Sequence, residues 1–168
     1  MDFSIRKAVV GDALAIAQIL QELGWHSWLI KLPHDEVVKQ IKSSILLCNA
    51  DNSHSVYVAE NSESKVLGYI TVHWMPCLFL EKLRGHVSDL FVSEGSRRQG
   101  VGTALLEAVA TEAQARESGS ITALVRDGGE AHKQGFYRKV GWVEHSSFVS
   151  FMKELVHTIG VTTSSKSY

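Results

Sequence analysis

The run of residues best suited to chemistry in this chain reads Arg97-Arg98-Gln99-Gly100-Val101-Gly102-Thr103. It follows an apolar stretch that ends at Val92 and precedes a long stretch with helical spacing of apolar residues, so we predict a strand-to-helix turn. The first N–H groups of a helix lack acceptors within the helix and lie at the positive end of its dipole. The two glycines let an anion approach the backbone, and the two arginines add positive charge. The turn is therefore a predicted phosphate site.

The spacing of this turn distinguishes three kinds of phosphate-binding loop. A Walker loop requires Lys directly after its second glycine, but Val101 stands there, which excludes a kinase or ATPase of that kind. The dinucleotide fingerprint G-x-G-x-x-G requires a third glycine, but Leu105 stands there. The order R-x-x-G-x-G, from Arg97 to Gly102, is the pattern that fits.

A second motif, Phe136-Tyr137-Arg138-Lys139-Val140-Gly141-Trp142, follows further along the chain. With the first motif, and with a Leu90-Phe91-Val92 strand before it, this segment resembles the N-acetyltransferase superfamily called GNAT. The corresponding segment of that family reads F-Y-x-x-x-G-F, so Trp142 replaces the last Phe. The resemblance extends from about Gly68 to Trp142, and residues 1–65 follow the family's element order more loosely.

The resemblance implies acetyl-CoA as the co-substrate. Backbone amides from Arg98 to Thr103 would bind its pyrophosphate, and the pantetheine would pair like an extra strand with the backbone of Leu90, Phe91 and Val92. In the family this strand splays from the next one, here residues 121–125, and the thioester lies in the opening.

Tyr137 matches the usual general acid of the family. When an amine attacks the thioester, CoA leaves as a thiolate that needs a proton, and a phenol with a pKa of about 10 can donate it at neutral pH. The alternative is that Tyr137 is a packing aromatic on a short helix. Gly135 lies within that predicted helix, 133–140, and leaves room for local unwinding.

The general base is less well defined by the sequence, because Ser88-Asp89 stands where many relatives carry Glu-Asp. Alternation along a strand places His86, Ser88 and Leu90 on one face and Asp89 on the other. His86 is therefore a candidate base, directly or through a water, because its ordinary pKa is about 6.5. Asp89 could instead attract a cationic acceptor. A solvated histidine and a structural aspartate are the alternatives.

Several side chains are candidates for the acceptor site. Trp25, His26 and Trp28 lie in the loop between the first two predicted helices, which in GNAT enzymes helps to wall that site. His73 and Trp74 end a predicted strand beside the same cleft, together with Ser88 and Asp89 on its neighbour. Tryptophans would suit an apolar or cationic acceptor. Packing of helix on sheet is the alternative for the tryptophans.

The predicted elements form one α/β domain over residues 1–160, with a polar, frayed tail at 161–168. A strand–helix–strand unit from His86 to Val125 requires parallel pairing, whereas the other short connections suit antiparallel strands. The resulting fold is a GNAT-like mixed, mostly antiparallel twisted sheet with helices on both faces and one parallel strand–helix–strand unit.

Composition excludes several other classes of function. The formal net charge of −1 lacks the basic excess of a nucleic-acid-binding protein. Eight histidines occur, but none has H-E-x-x-H or H-x-H spacing, so we predict no metal. No stretch reaches the roughly 20 apolar residues of a membrane span. Cys48 and Cys77 predict free thiols in a reducing cytoplasm.

Together these features predict an acetyl-CoA-dependent N-acetyltransferase that acts by direct transfer. The expected acceptor is a primary amine on a small molecule, with a protein amine as the second choice. The resemblance leaves a homodimer open. The alternative function is a CoA-binding sensor or interaction module that has lost catalysis, which Ser88 in place of a carboxylate would favour.

Overall fold

The computed structural model describes residues 2–24, 31–79, 81–126 and 128–145, which form two compact units, Met1–Gly129 and Glu130–Tyr168. The three acceptor-site candidates Trp25, His26 and Trp28, and the predicted tail 161–168, lie outside the described residues. In the first unit the elements are β1 (Phe3–Lys7), α1 (Ala13–Leu23), α2 (His34–Asn49), β2 (His54–Asn61), β3 (Val66–Met75), β4 (Arg84–Val92), α3 (Val101–Ala115) and β5 (Ser120–Ala123).

The five strands form one sheet in the order β1-β2-β3-β4-β5. The pairs β1–β2, β2–β3 and β3–β4 are antiparallel, and β4–β5 is parallel. Helix α3 connects β4 to β5, because parallel neighbours need a crossover connection. The predicted mixed sheet and its parallel unit are confirmed.

One face of the sheet, here called the α1–α2 face, packs against the first two helices. Its buried cluster includes Val56 and Val58 of β2 and Tyr69 of β3, with Ile16 of α1 and Val37 of α2. Strand residues that alternate with these lie on the opposite face. Burial of apolar surface in this cluster holds the first two helices onto the sheet.

The opposite face, here called the α3 face, packs against α3. Ile70 and Val72 of β3 are fully buried there, as are Leu105 and Val109 of α3. Helices on both faces of one sheet were predicted, and this is confirmed. Among the described residues, none of the helices is long and apolar enough to cross a bilayer.

A largely covered carboxylate, that of Glu112, connects α3 to the sheet. Glu112 accepts hydrogen bonds from Lys7 Nζ (3.0 Å), Ser55 Oγ (2.8 Å), Tyr57 OH (2.9 Å) and the Arg116 guanidinium (2.9 Å). Burial alone would raise the pKa of Glu112, but these donors outweigh it and hold the pKa below its usual value. The carboxylate is therefore ionised and satisfied, which a buried charge requires.

The second unit contains two short helices, α4 (Glu130–Lys133) and α5 (Phe136–Lys139). Gly135, with φ of 62°, separates them, so the single helix predicted over 133–140 is interrupted where its glycine stands. A left-handed residue ends the hydrogen-bonded path of a helix, and glycine adopts that conformation without steric cost.

Candidate active site

The predicted phosphate turn is built as a sharp bend directly before α3. Arg98 and Gly100 both have left-handed backbones, with φ of 60° and 85°. Gly100 is the N-cap of α3, and it offers no side chain to cap the first N–H groups. A Cβ added at Gly100 would meet no atom within 4 Å. The start of α3 therefore has no side-chain cap, and the space beside Gly100 is open, which suits an anion site.

Hydrogen bonds of the residues just before the turn hold it in place. The Ser93 amide donates to the Leu67 carbonyl (2.9 Å), the Ser96 amide donates to the Ser93 carbonyl (2.9 Å), and Ser93 Oγ donates to Ser96 Oγ (2.9 Å). Ser96 is buried, and Gln99 Nε2 donates back to the Gly95 carbonyl (2.8 Å). These bonds anchor the turn to the start of β3 without using the amides of α3.

The charge around the turn suits an anion. Arg98 is exposed, and Arg97 is half-buried with its Nε 3.4 Å from the Val92 carbonyl. The first turn of α3, a helix of 15 residues, contains no acidic residue. Val101 is buried, so only its backbone is available to a ligand. The sequence prediction that these residues share one turn is confirmed, whereas their binding role stays a prediction.

Only the first part of β4 pairs with β5. The parallel pairing ends at Val87↔Ala123, whereas pairing with β3 continues through Leu90↔Ile70, Phe91↔Tyr69 and Gly68↔Val92. The pairing of these strands therefore ends at Val87, and the resemblance implies that they splay in this region. Gly68 is needed opposite this segment, because a Cβ there would lie 2.7 Å from the Phe91 carbonyl oxygen.

A β-bulge changes which side chains of β4 share a face. Asp89 pairs with Thr71, but the next residue along β3, Val72, pairs with Val87, so Ser88 is an extra residue. Directly paired residues lie on the same face, which puts Asp89 on the α1–α2 face. The prediction that Asp89 faces away from His86, and that Leu90 faces the same way as His86, is wrong because regular alternation fails at a bulge.

Three histidines form a row across the α1–α2 face. His54 of β2 pairs with His73 of β3, which pairs with His86 of β4. The rings of His54 and His73 meet edge to face with centroids 4.7 Å apart. His86 Nδ1 lies 3.1 Å from Thr122 Oγ1 of β5. His54 is a residue that the sequence analysis did not single out.

His73 is connected to a carboxylate through the extra residue of the bulge. His73 Nε2 lies 2.9 Å from Ser88 Oγ, and Ser88 Oγ donates to Asp89 Oδ2 at 2.8 Å. Burial lowers the pKa of His73 below its ordinary value, and the positive charge that His54 and His86 can carry lowers it further, against the opposing effect of Asp89. His73 is therefore neutral at neutral pH.

Trp74 does not share this face. It follows His73 in β3, so its side chain lies on the α3 face, where it is only 3% exposed. Its Nε1 donates to Ser55 Oγ (3.2 Å), and the Arg116 guanidinium lies 5.0 Å from its ring centroid. The prediction of Trp74 as an acceptor-site residue is wrong, and the packing alternative holds for it.

In the second unit, Tyr137 lies in an aromatic cluster. Its ring meets Phe136 and Trp142 edge to face, with centroids 5.1 and 5.5 Å apart. Tyr137 is half-buried, and burial raises the pKa of its phenol. The group therefore stays protonated at neutral pH, as a proton donor must. Beside it, Arg138 pairs with Glu144, and the Arg138 hydrogen bond lowers the pKa of that carboxyl.

Metal chemistry has no candidate site in the part of the chain that the structure describes. No group of three or more His, Cys, Asp or Glu side chains there has an arrangement that could hold a metal ion. The histidine row runs across β2, β3 and β4, and His73 and His86 form hydrogen bonds with hydroxyl groups.

The sequence model of one family matches this chain. The family is described as the acetyltransferase (GNAT) family, and the match covers residues 18–142, which include both sequence motifs. Among curated proteins, none matches the sequence significantly.

Solved structures share the fold at low sequence identity. An integron cassette protein from the mobile metagenome of V. cholerae is 20% identical, with 92% of this chain and 93% of that chain covered and a TM-score of 0.77. A possible acetyltransferase from Clostridium difficile 630 is 17% identical (92% and 99% covered, TM-score 0.74). An aminoglycoside acetyltransferase from an uncultured soil metagenomic sample is 18% identical (92% and 97% covered, TM-score 0.71). At these identities the likeness supports the fold alone.

Proposed function

This chain belongs to the acetyltransferase (GNAT) family, and from that premise we propose that it is an acetyl-CoA-dependent N-acetyltransferase. The observation that carries the proposal is the turn before α3. Gly100 adopts a left-handed backbone, faces open space and leaves the start of α3 without a capping side chain. Amides at a helix N-terminus hold a pyrophosphate through hydrogen bonds and the helix dipole.

The residues of the turn and of β4 fit acetyl-CoA. Amides from Arg98 to Thr103 would hold the pyrophosphate, with Arg97 and Arg98 adding charge. The β4 backbone beyond Val87 would hold the pantetheine, because β5 no longer pairs there. When bound, acetyl-CoA supplies the activated acetyl group, and Tyr137 is the proposed donor of a proton to the departing thiolate sulfur.

Direct transfer to the amine is the proposed route. A covalent acetyl-enzyme needs a reactive thiolate, and burial raises the pKa of the Cys48 thiol, with Asp89 and Asp51 adding to the effect. Cys48 and Cys77 are both free thiols. Their presence also supports the proposal that the protein works in the reducing cytoplasm.

The proposed acceptor is a primary amine on a small molecule. The α1–α2 face beside the β4–β5 opening presents Asp89, which attracts a cation, and neutral His73. A direct test measures thiol release from acetyl-CoA with a panel of small amines and of peptides with free amino groups. Turnover on a small amine is expected, whereas saturable CoA binding without turnover on any amine would support the binding-module alternative.

Gly100→Ala is expected to weaken CoA binding about tenfold, or roughly 1.4 kcal/mol. The new methyl group would occupy the open space beside Gly100, and a left-handed alanine costs about 1–2 kcal/mol of stability. Calorimetry with CoA measures the dissociation constant, and thermal unfolding measures the stability.

Gly95→Ala is the matched control for that variant. A Cβ at Gly95 also meets no atom within 4 Å, but Gly95 does not have a positive φ. Both its CoA affinity and its stability should equal those of the wild type. Equal CoA affinity in Gly100→Ala and Gly95→Ala would remove the turn from the proposed site.

A further inference from the structure

The sequence analysis left the general base open, because Ser88 stands where relatives carry a carboxylate. The structure offers two imidazoles on the α1–α2 face, His73 and His86, beside the point where β4 and β5 stop pairing. Their hydrogen-bond partners differ in kind, and this difference decides which of them suits the acceptance of a proton.

The hydroxyl of Ser88 determines which ring nitrogen of His73 carries the hydrogen. A serine hydroxyl has one hydrogen, and Ser88 donates it to Asp89 Oδ2 at 2.8 Å. Ser88 Oγ can therefore only accept from His73 Nε2, 2.9 Å away, so Nε2 carries the ring hydrogen. The other nitrogen, Nδ1, makes no hydrogen bond within the described part of the chain and keeps its lone pair available.

The same hydrogen bonds stabilise the protonated ring. When Nδ1 takes a proton, the positive charge spreads to Nε2–H, which points along the path through Ser88 to the Asp89 carboxylate. A charge-assisted bond of this kind strengthens as the donor becomes cationic. His86 lacks this support, because its partner Thr122 Oγ1 donates onward to the neutral Gly85 carbonyl (3.3 Å).

The bulge places His73 where the chemistry is proposed. Ser88 directly follows Val87, the last β4 residue paired with β5. The chain of hydrogen bonds from Asp89 to His73 thus begins where the two strands part. The arrangement depends on the extra residue, because a regular strand would turn Asp89 to the α3 face.

We infer that His73 is the general base for the acceptor amine, and that Ser88 and Asp89 are its positioning residues. This inference rests on the proposed N-acetyltransferase function. In the step, an N–H bond of the acceptor ammonium breaks, its proton passes to His73 Nδ1, and the freed lone pair of the amine attacks the acetyl carbon. The C–S bond then breaks, the departing thiolate takes the proton of Tyr137, and the second proton lost by the nitrogen restores Tyr137. The proton then leaves His73 to solvent, so the base is restored.

The fall of kcat at low pH should follow the protonation of His73. Its pKa lies below the ordinary 6.5, because His73 is half-buried and faces His54 and His86, whose effect Asp89 opposes. The rate falls as pH drops through that pKa, because protonated His73 cannot accept a proton. His54→Gln removes a neighbouring cation, so it should move this fall of kcat to higher pH without changing the plateau rate.

The test compares pH profiles of kcat for the full chain with the best amine of the panel. His73→Gln should lower kcat at pH 7 about 10²-fold, with a smaller deficit near the amine pKa of about 10, where the acceptor is already deprotonated. Ser88→Ala should lower it about tenfold, equal to one charge-assisted bond of roughly 1.4 kcal/mol. His34→Gln, on an exposed part of α2, is the matched control and should leave the profile unchanged.

Nitrogen NMR of the histidine rings supplies a readout that needs no turnover. The Nε2–H tautomer is expected for His73 in the wild type and should be lost in Ser88→Ala. An Nδ1–H tautomer, or an unchanged pH profile in His73→Gln, overturns this inference while amine turnover by the wild type keeps the proposed function. Binding of CoA without turnover on any amine overturns both, so the two failures are distinguishable.

Discussion

Tyr137→Phe is expected to lower kcat about 10²–10⁴-fold while leaving the affinity for CoA nearly unchanged. The substitution removes only the hydroxyl, and the ring keeps its contacts with Phe136 and Trp142. Burial raises the pKa of the Tyr137 phenol, so the hydroxyl is protonated at neutral pH and can donate its proton to the thiolate. Steady-state kinetics with calorimetry of CoA binding separates the two quantities.

Tyr57→Phe is the matched control, because it makes the same chemical change on the α3 face. Its hydroxyl bonds to Glu112 at 2.9 Å, so the variant should lose about 1 kcal/mol of stability and keep kcat. If Tyr137→Phe loses no more kcat than Tyr57→Phe, then Tyr137 is only a packing aromatic.

Glu112→Ala is expected to lower the free energy of unfolding by about 3 kcal/mol, because it leaves four hydrogen-bond donors, buried Ser55 among them, without their acceptor. The Glu112 side chain is 13% exposed and serves Lys7, Ser55, Tyr57 and Arg116. For a chain of this size the melting temperature should fall by about 6–12 °C. Denaturant unfolding and calorimetry measure the two changes.

Glu107→Ala on the same helix is the control, because Glu107 is exposed. It should change stability by less than about 0.5 kcal/mol. The pH dependence gives a further check. The pKa of Glu112 is depressed in the folded protein, so its contribution is present above the unfolded value of 4.5 and is lost as pH falls through the folded value. A wild type that loses no more stability in acid than Glu112→Ala would contradict this.

Much of the fold followed from the sequence because its signals are local. The turn before α3 was recognisable from two glycines and two arginines, and the left-handed Gly100 is the conformation that glycine permits. The crossover between β4 and β5 followed from a helix that a hairpin cannot contain. Gly135 likewise marked the point where the predicted helix is interrupted.

The faces of β4 were not predictable, because they depend on a single inserted residue. The hairpin between β2 and β3 brings His54 near His73, but a slip of one residue reverses the face of every side chain. The bulge at Ser88 introduces such a slip, and nothing in the local sequence requires it. Trp74 was misplaced for a related reason, since adjacent residues of a strand face opposite ways.

The bulge also has a consequence for how this sequence can vary. Val87 and Leu90 lie three positions apart, yet both pair with residues that face α3, Val72 and Ile70. Deleting Ser88 would leave Val87, Asp89 and Leu90 in regular alternation, with the same partners. We therefore expect the core to tolerate the loss of this residue, whereas the hydrogen bond between His73 and Ser88 would be lost. Insertion or deletion at one position can change the chemistry of this scaffold without rebuilding the scaffold.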